Sequence, residues 1–221
     1  MAKFCTNCGK ELKDGKCDCI KKNSANNDIV KKCKEIVIGL FKKPISTIKE
    51  NTKEENFNLG LIVLALTCVL TGLFSYFILD NMTSFSLFGM YRVVEISFIK
   101  TFMSTFIFAA IWYGVLGCVI YLLASKLFKL NISVKETYTF VGILSIYLSL
   151  AILVSIILLF VSIKLMVLVL LVASLFYSVY FVIGLMEVTN IDKDKIAYFY
   201  VPSMLVAFFI VYYILPKLLS L

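Results

Sequence analysis

Histidine is missing altogether from this chain of 221 residues. Its absence removes the side chain that most often serves as a general base. It also rules out a Ser–His or Cys–His nucleophile pair within the chain. Charge is scarce too: 16% of residues are charged and 61% are hydrophobic, and the mean hydropathy is +0.94, far from an ordinary globular chain. Within the long apolar runs no Asp, Glu, Lys or Arg lies deep, except Lys164 at an expected turn. Intramembrane ionisable residues are the usual mark of proton relays, ion paths and catalytic sites, so a proton-coupled transporter and a membrane protease are both disfavoured. Residues 1–28 contain no apolar stretch of the signal-peptide kind, and the first 58 residues are therefore expected in the cytosol.

What is abundant is apolar sequence in lengths that cross a bilayer, about 20 residues for a core of roughly 30 Å. The expected fold is an all-α polytopic membrane protein with five transmembrane helices. Spans are placed near Leu59–Leu79, Thr101–Leu123, two helices within Val141–Leu185 joined by a tight turn near Ser162–Lys164, and Ile196–Leu215. Asp80 to Lys100 reads as a loop that hugs the interface, and "KLNISVKETYTF" as a loop on the opposite side. Trp112 falls near the middle of the second span, away from the interfacial belt where tryptophan is enriched. Of 22 Lys and Arg residues, 13 lie in residues 1–58. With the N-terminus inside, the inner segments hold 18 and the outer segments 4. The positive-inside rule then puts the N-terminus in the cytoplasm and the C-terminus outside.

The basic head opens with "KFCTNCGKELKDGKCDC". Cys5, Cys8, Cys17 and Cys19 form a CxxC and a CxC pair separated by eight residues. Four thiolates clustered in a reducing compartment suit a closed, tetrahedral, structural zinc site. About twenty residues cannot bury a core alone, so metal binding would supply their folding free energy. A disulfide pair or a redox CxxC is the competing reading. Cys33, Cys68 and Cys118 stand apart in apolar surroundings and read as small buried hydrophobes.

Residues 20–28 form a polar tether, and Asp28 can then cap a helix. Ile29, Val30, Cys33, Ile36, Val37, Leu40 and Phe41 share one face at helical spacing, while Lys31, Lys32, Lys34, Lys42 and Lys43 supply charge for the membrane surface. Such a basic amphipathic helix lies in the headgroup region and meets anionic lipid headgroups. Alternatively it packs on the protein's own cytoplasmic face. Pro44 stops this helix and can open a second, short one. Inside the spans, Ser145/Ser149 and Ser174/Ser178 have the four-residue spacing that lets helices approach closely. The competing reading of these hydroxyls, with Thr67 and Thr71, is a polar pathway.

The order of "FKKPISTI", a span, an outer loop, a span ending in "SKLFK", and then "SVKETYTFVGILSIYLSLAILVSI" resembles the Yip family, membrane proteins known in eukaryotes as partners of Rab-type GTPases. The early KP-x-x-T segment of that family matches Lys43, Pro44 and Thr47, and the entry to its third span resembles Val134–Ser149. The resemblance covers residues 41–221 and implies five spans, a cytoplasmic N-terminus and no chemistry. Bacterial relatives often carry an N-terminal zinc ribbon. The Lys-, Asn- and Ile-rich composition is that of an AT-rich bacterium, where a Rab partner would be absent.

The expected organisation is a zinc ribbon at 1–20, a linker with a basic helix at 21–58, and a five-span Yip-like domain at 59–221. The expected function is a non-enzymatic scaffold or adaptor of a bacterial plasma membrane, its ribbon docking a cytosolic protein. A permease or channel component regulated by the ribbon is the alternative. A nucleic-acid partner is disfavoured, because the ribbon lacks the interleaved aromatics on which bases stack.

Overall fold

The computed structural model describes residues 31–84 and 96–214. The chain divides into two compact units, Met1–Lys43 and Pro44–Leu221. The described part of the first is one helix, α1, residues 31–42. The second begins with α2 (Pro44–Asn51), for which proline's fixed φ suits the first helical position. A single 3-10 turn at Glu54–Asn56 leads into α3 (Phe57–Ser84). Then follow α4 (Phe98–Leu122), α5 (Val134–Leu159), α6 (Ile163–Thr189) and α7 (Ile196–Phe209). Five helices, α3 to α7 with their extensions, are long and apolar enough to cross a membrane. All described elements are helical, as hydrocarbon demands of a chain that must satisfy its own backbone.

Several boundaries differ from the sequence reading. α5 starts at Val134, seven residues before the expected span, because "SVKE" is a capping box. The Glu136 amide donates to Ser133 Oγ at 3.1 Å, and the Ser133 amide donates to Glu136 Oε2 at 2.9 Å. Two orphan donors of the helix end are thereby satisfied. The expected loop from Asp80 to Lys100 is helical at both ends, since α3 continues through Ser84 and α4 begins at Phe98; residues 85–95 lie outside the description. The tight turn between α5 and α6 falls at Phe160–Ser162, so Lys164 sits exposed in the first turn of α6. α6 closes on Asn190, whose left-handed φ of 54° ends the helix as an αL cap does.

α5 is the hub. Of its most apolar stretch 61% is buried within the protein, against 11% for α6. α3 runs parallel to α5 and makes the most intimate contact with it. A Cβ added to Gly142 would stand 2.7 Å from Gly60 Cα, and one added to Gly60 would stand 2.8 Å from Thr139 Cα. No side chain fits either position, so the two backbones touch. α4 runs antiparallel along α3 and α5, where Gly117 leaves room for the Tyr138 ring. α6 antiparallels α5 through Phe140–Phe181 and the stacked pair Tyr147–Tyr180. α7 is tied to the chain around α4 by Phe128–Phe199 at one end and Phe108–Tyr212 at the other. Pro202 lies inside α7 and withholds one helical amide; the next residue, Ser203, donates its hydroxyl to the Phe199 carbonyl at 2.6 Å.

Replacing Gly142 with valine forces α3 off α5 and should cost about 3 kcal/mol, at the upper end for overpacking. In detergent this lowers Tm by about 6–12 °C, taking about 2–4 °C per kcal/mol for a chain of this size. Gly114→Ala, where an added Cβ meets no atom within 4 Å, should leave Tm unchanged.

Candidate functional site

The proposed zinc ligands Cys5, Cys8, Cys17 and Cys19 lie outside the described residues. Of the lysines assigned to the membrane surface, Lys31, Lys34, Lys42 and Lys43 are exposed and Lys32 is half-buried. The apolar face expected on α1 is divided. Ile36 and Leu40 are buried, whereas Ile38 and Phe41 are exposed. The exposed residues of α1 are therefore Lys31, Lys34, Glu35, Ile38, Phe41 and Lys42.

In the membrane unit, α2 is held against the ends of α5 and α6. Ile48 is fully buried and lies under Gly184, where an added Cβ would meet Ile48 Cγ2 at 3.1 Å. Lys49 Nζ donates to Glu187 Oε2 at 2.8 Å on the rim. Both partners are about half exposed, so this pair contributes at most about 1 kcal/mol. Asn51 Nδ2 donates to the Thr47 carbonyl and Asn56 Nδ2 to the Asn51 carbonyl, each at 2.9 Å. These bonds fold the chain from α2 into α3. Lys135 and Glu54 face one another at 3.7 Å across the starts of α5 and α3.

Deeper in, the hydroxyls singled out on α3 and α5 form one sealed seam. Thr67 Oγ1 lies 2.7 Å from Ser149 Oγ and 3.1 Å from Ser145 Oγ. Ser145 donates to the Gly142 carbonyl at 2.7 Å, and Thr67 reaches the Val63 carbonyl at 2.8 Å. Three hydroxyl protons thus have three acceptors if Ser149 donates to Thr67. All three side chains are buried. The packing reading holds here. Ser174 and Ser178 have the same spacing but point away from the bundle, and they donate to Leu171 and Ser174 carbonyls on their own helix.

A second lock joins α4 to α5. Tyr138 donates its hydroxyl to the Gly114 carbonyl at 2.8 Å, and Cys118 Sγ lies 3.2 Å from the same oxygen. Nothing in the sequence around Tyr138 marks it out; the signal is the Gly114/Gly117 pair on the facing helix, which makes room for a ring. Cys118 is exposed rather than buried, because it stands on the outward edge of that lock. Cys68 is buried as expected, and Cys33 is intermediate. Trp112 is half-buried.

Five apolar helices joined by backbone contact and sealed hydroxyls define an integral membrane protein. The chain belongs to the Yip1 domain family: the family model for the Yip1 domain matches residues 38–215. No curated protein and no solved structure matches it. The KP-x-x-T residues take definite places: Lys43 is exposed, Pro44 opens α2, and the Thr47 carbonyl accepts from Asn51.

A double-mutant cycle on Thr67→Val and Ser149→Ala should give a coupling of about 0.6 kcal/mol, and no more than about 1.7, the range for hydrogen bonds between spans. Ile48→Ala should cost about 2–5 kcal/mol if the site does not collapse, with faster amide exchange through α2.

Proposed function

We propose that this Yip1-domain protein is a non-enzymatic membrane scaffold whose N-terminal cysteines form a zinc ribbon that docks a cytosolic protein. Cys5, Cys8, Cys17 and Cys19 would hold the ion as four thiolates, closing its coordination and leaving no open position for catalysis. The observation that best supports a scaffold is how the bundle spends its buried hydroxyls. Thr67, Ser145 and Ser149 are consumed by helix packing, so the membrane unit acts as a rigid platform.

The basic head is read as lying against the inner leaflet of a bacterial plasma membrane. Among the described residues of the membrane unit, the end bearing the starts of α3 and α5 carries Lys49, Lys53, Lys126, Lys129, Lys135 and Lys195. The far end carries Lys100 and Lys164. That asymmetry supports a cytoplasmic N-terminus and, with five spans, an outer C-terminus. The exposed residues of α1, Lys31, Lys34 and Lys42 with one acid, Glu35, around Ile38 and Phe41, are net basic and suit anionic headgroups with shallow apolar insertion. A second reading, a permease or channel component, draws on Pro202 and on the π-helical turn at Ile210–Ile214 that ends α7, a type of irregularity frequent at functional sites.

Metal analysis and pull-down of the detergent-purified chain, beside the Cys5→Ser/Cys8→Ser variant, test the proposal. The expected result is one zinc per chain and a cytosolic partner, both lost in the variant. Zinc without a partner, together with solute flux in liposomes, would favour the permease. A chain with no bound metal would overturn the ribbon.

A further inference from the structure

A recess bounded by three helices opens on the membrane-spanning surface. It is an open cleft of about 260 Å³ between α3 and α4, floored by α5 and lined almost wholly by apolar atoms. Leu61, Gly114 and Tyr138 stand at one end, Cys68 and Phe106 at the other, and Ala65 and Ala110 between them. The small residues make the recess. Gly114 is the glycine of the bundle at which an added Cβ would meet nothing, whereas Gly60, Gly72, Gly117, Gly142 and Gly184 are all filled against neighbours.

The cleft runs along the helices. Leu61 to Cys68 spans seven residues, about 10 Å at the helical rise, most of one leaflet of a hydrocarbon core roughly 30 Å thick. It opens sideways from the surface that already faces lipid: Leu61 is 41% exposed and Ala65 and Ala110 are exposed beside it. Its occupant is therefore drawn from the bilayer.

The Leu61–Tyr138 end has a charged rim. Lys135 lies three residues before Tyr138, one helical turn nearer the start of α5. Its ammonium faces Glu54 at a loose 3.7 Å, and more than half of its side chain is exposed. At that separation a lipid phosphate can share the ammonium, which keeps donors to spare. Glu54 and the exposed Glu55 beside it oppose an anion, and Lys53 offsets one of those two charges.

We propose that this cleft is a binding site for one acyl chain of an anionic phospholipid, with the headgroup at Lys135. Tyr138 forms the floor beneath the first part of the chain. Its hydroxyl proton is already spent on the Gly114 carbonyl, so the ligand meets no free phenol donor there. A lipid seated there touches α3, α4 and α5 together and reports on how those helices are packed.

The test uses the full chain in nanodiscs doped with phosphatidylglycerol carrying a diazirine in its acyl chain, with adducts mapped by peptide mass spectrometry. A phosphatidylcholine probe of the same acyl structure runs in parallel. Adducts should concentrate on Leu61–Cys68 and Phe106–Gly114. They should fall at least fivefold in Gly114→Phe, which fills open space, while labelling of Leu171–Val179 on α6 stays unchanged. Ala110→Phe provides the same block if Gly114→Phe fails to fold. The phosphatidylglycerol probe should label the cleft more than threefold over phosphatidylcholine, and Lys135→Gln should abolish that preference. Even labelling of the α6 face and the cleft, or cleft adducts that persist in both filled variants, would overturn the site. Equal labelling by the two probes would overturn the headgroup assignment.

Discussion

Helices in a bilayer gain little by hiding leucine from lipid tails, because the tails are as apolar as leucine is. What holds them is contact close enough for dispersion to accumulate, and hydrogen bonds that hydrocarbon cannot replace. In this chain both are concentrated where α3 crosses α5. Gly60 and Gly142 let the backbones meet, and the same approach brings Thr67 within 2.7 Å of Ser149. Without the glycines the hydroxyls would not reach, and without the hydroxyls the two helices would lose the bonds that tie them across the seam. α4 then docks through the Tyr138 lock and α6 through its aromatic pairs.

The arrangement explains the uneven burial of the five spans. α5 touches neighbours on most of its circumference, so its sequence carries small and hydroxylated residues among the apolar ones. α6 turns most of its apolar length outward, and Leu171, Leu175 and Val179 are exposed. In water such a face would demand a partner protein; in a bilayer the solvent itself covers it. The unit that begins at Pro44 also has a polar end, where α2 is fastened by Ile48 beneath Gly184 and by the Lys49–Glu187 pair. This gives the KP-x-x-T segment a structural role at the base of the bundle.

The span count was legible because uncharged apolar runs of this length match the thickness of a bilayer core and little else in a folded chain. Helix ends were less so. Hydropathy marks where a chain enters oil, while a helix ends where its backbone finds a cap. Ser133 and Glu136 therefore extend α5 seven residues past the apolar run, and α3 carries on through Asp80 to Ser84. Spacing alone did not separate Ser145/Ser149 from Ser174/Ser178, because the difference lies on the partner: Thr67 faces the first pair, and the second faces outward. Cys118 misled for the same reason, being apolar in sequence yet on the rim of a lock whose centre, Tyr138, is contributed by another helix. The cysteine cluster, the plainest chemical signal in the sequence, is read from the thiols themselves and does not depend on the bundle.

The most intimate helix pair is not made at one time. Thr67 and Ser145 are separated by 78 positions, and a ribosome adding about 5–20 residues per second needs several seconds to cover that interval. α4 is made within that interval and α5 only at its end, so α3 enters the membrane with its eventual partner unmade. The bond from Thr67 to the Val63 carbonyl lies within a single helix, so it exists from the moment of insertion and spares the nascent chain a bare hydroxyl in hydrocarbon. Glycine at position 60, meanwhile, leaves a notch along α3 that the third span can find late. Biogenesis and packing thus draw on the same few residues, Thr67 and Ser145 among them, whose hydroxyls each have a carbonyl partner on their own helix.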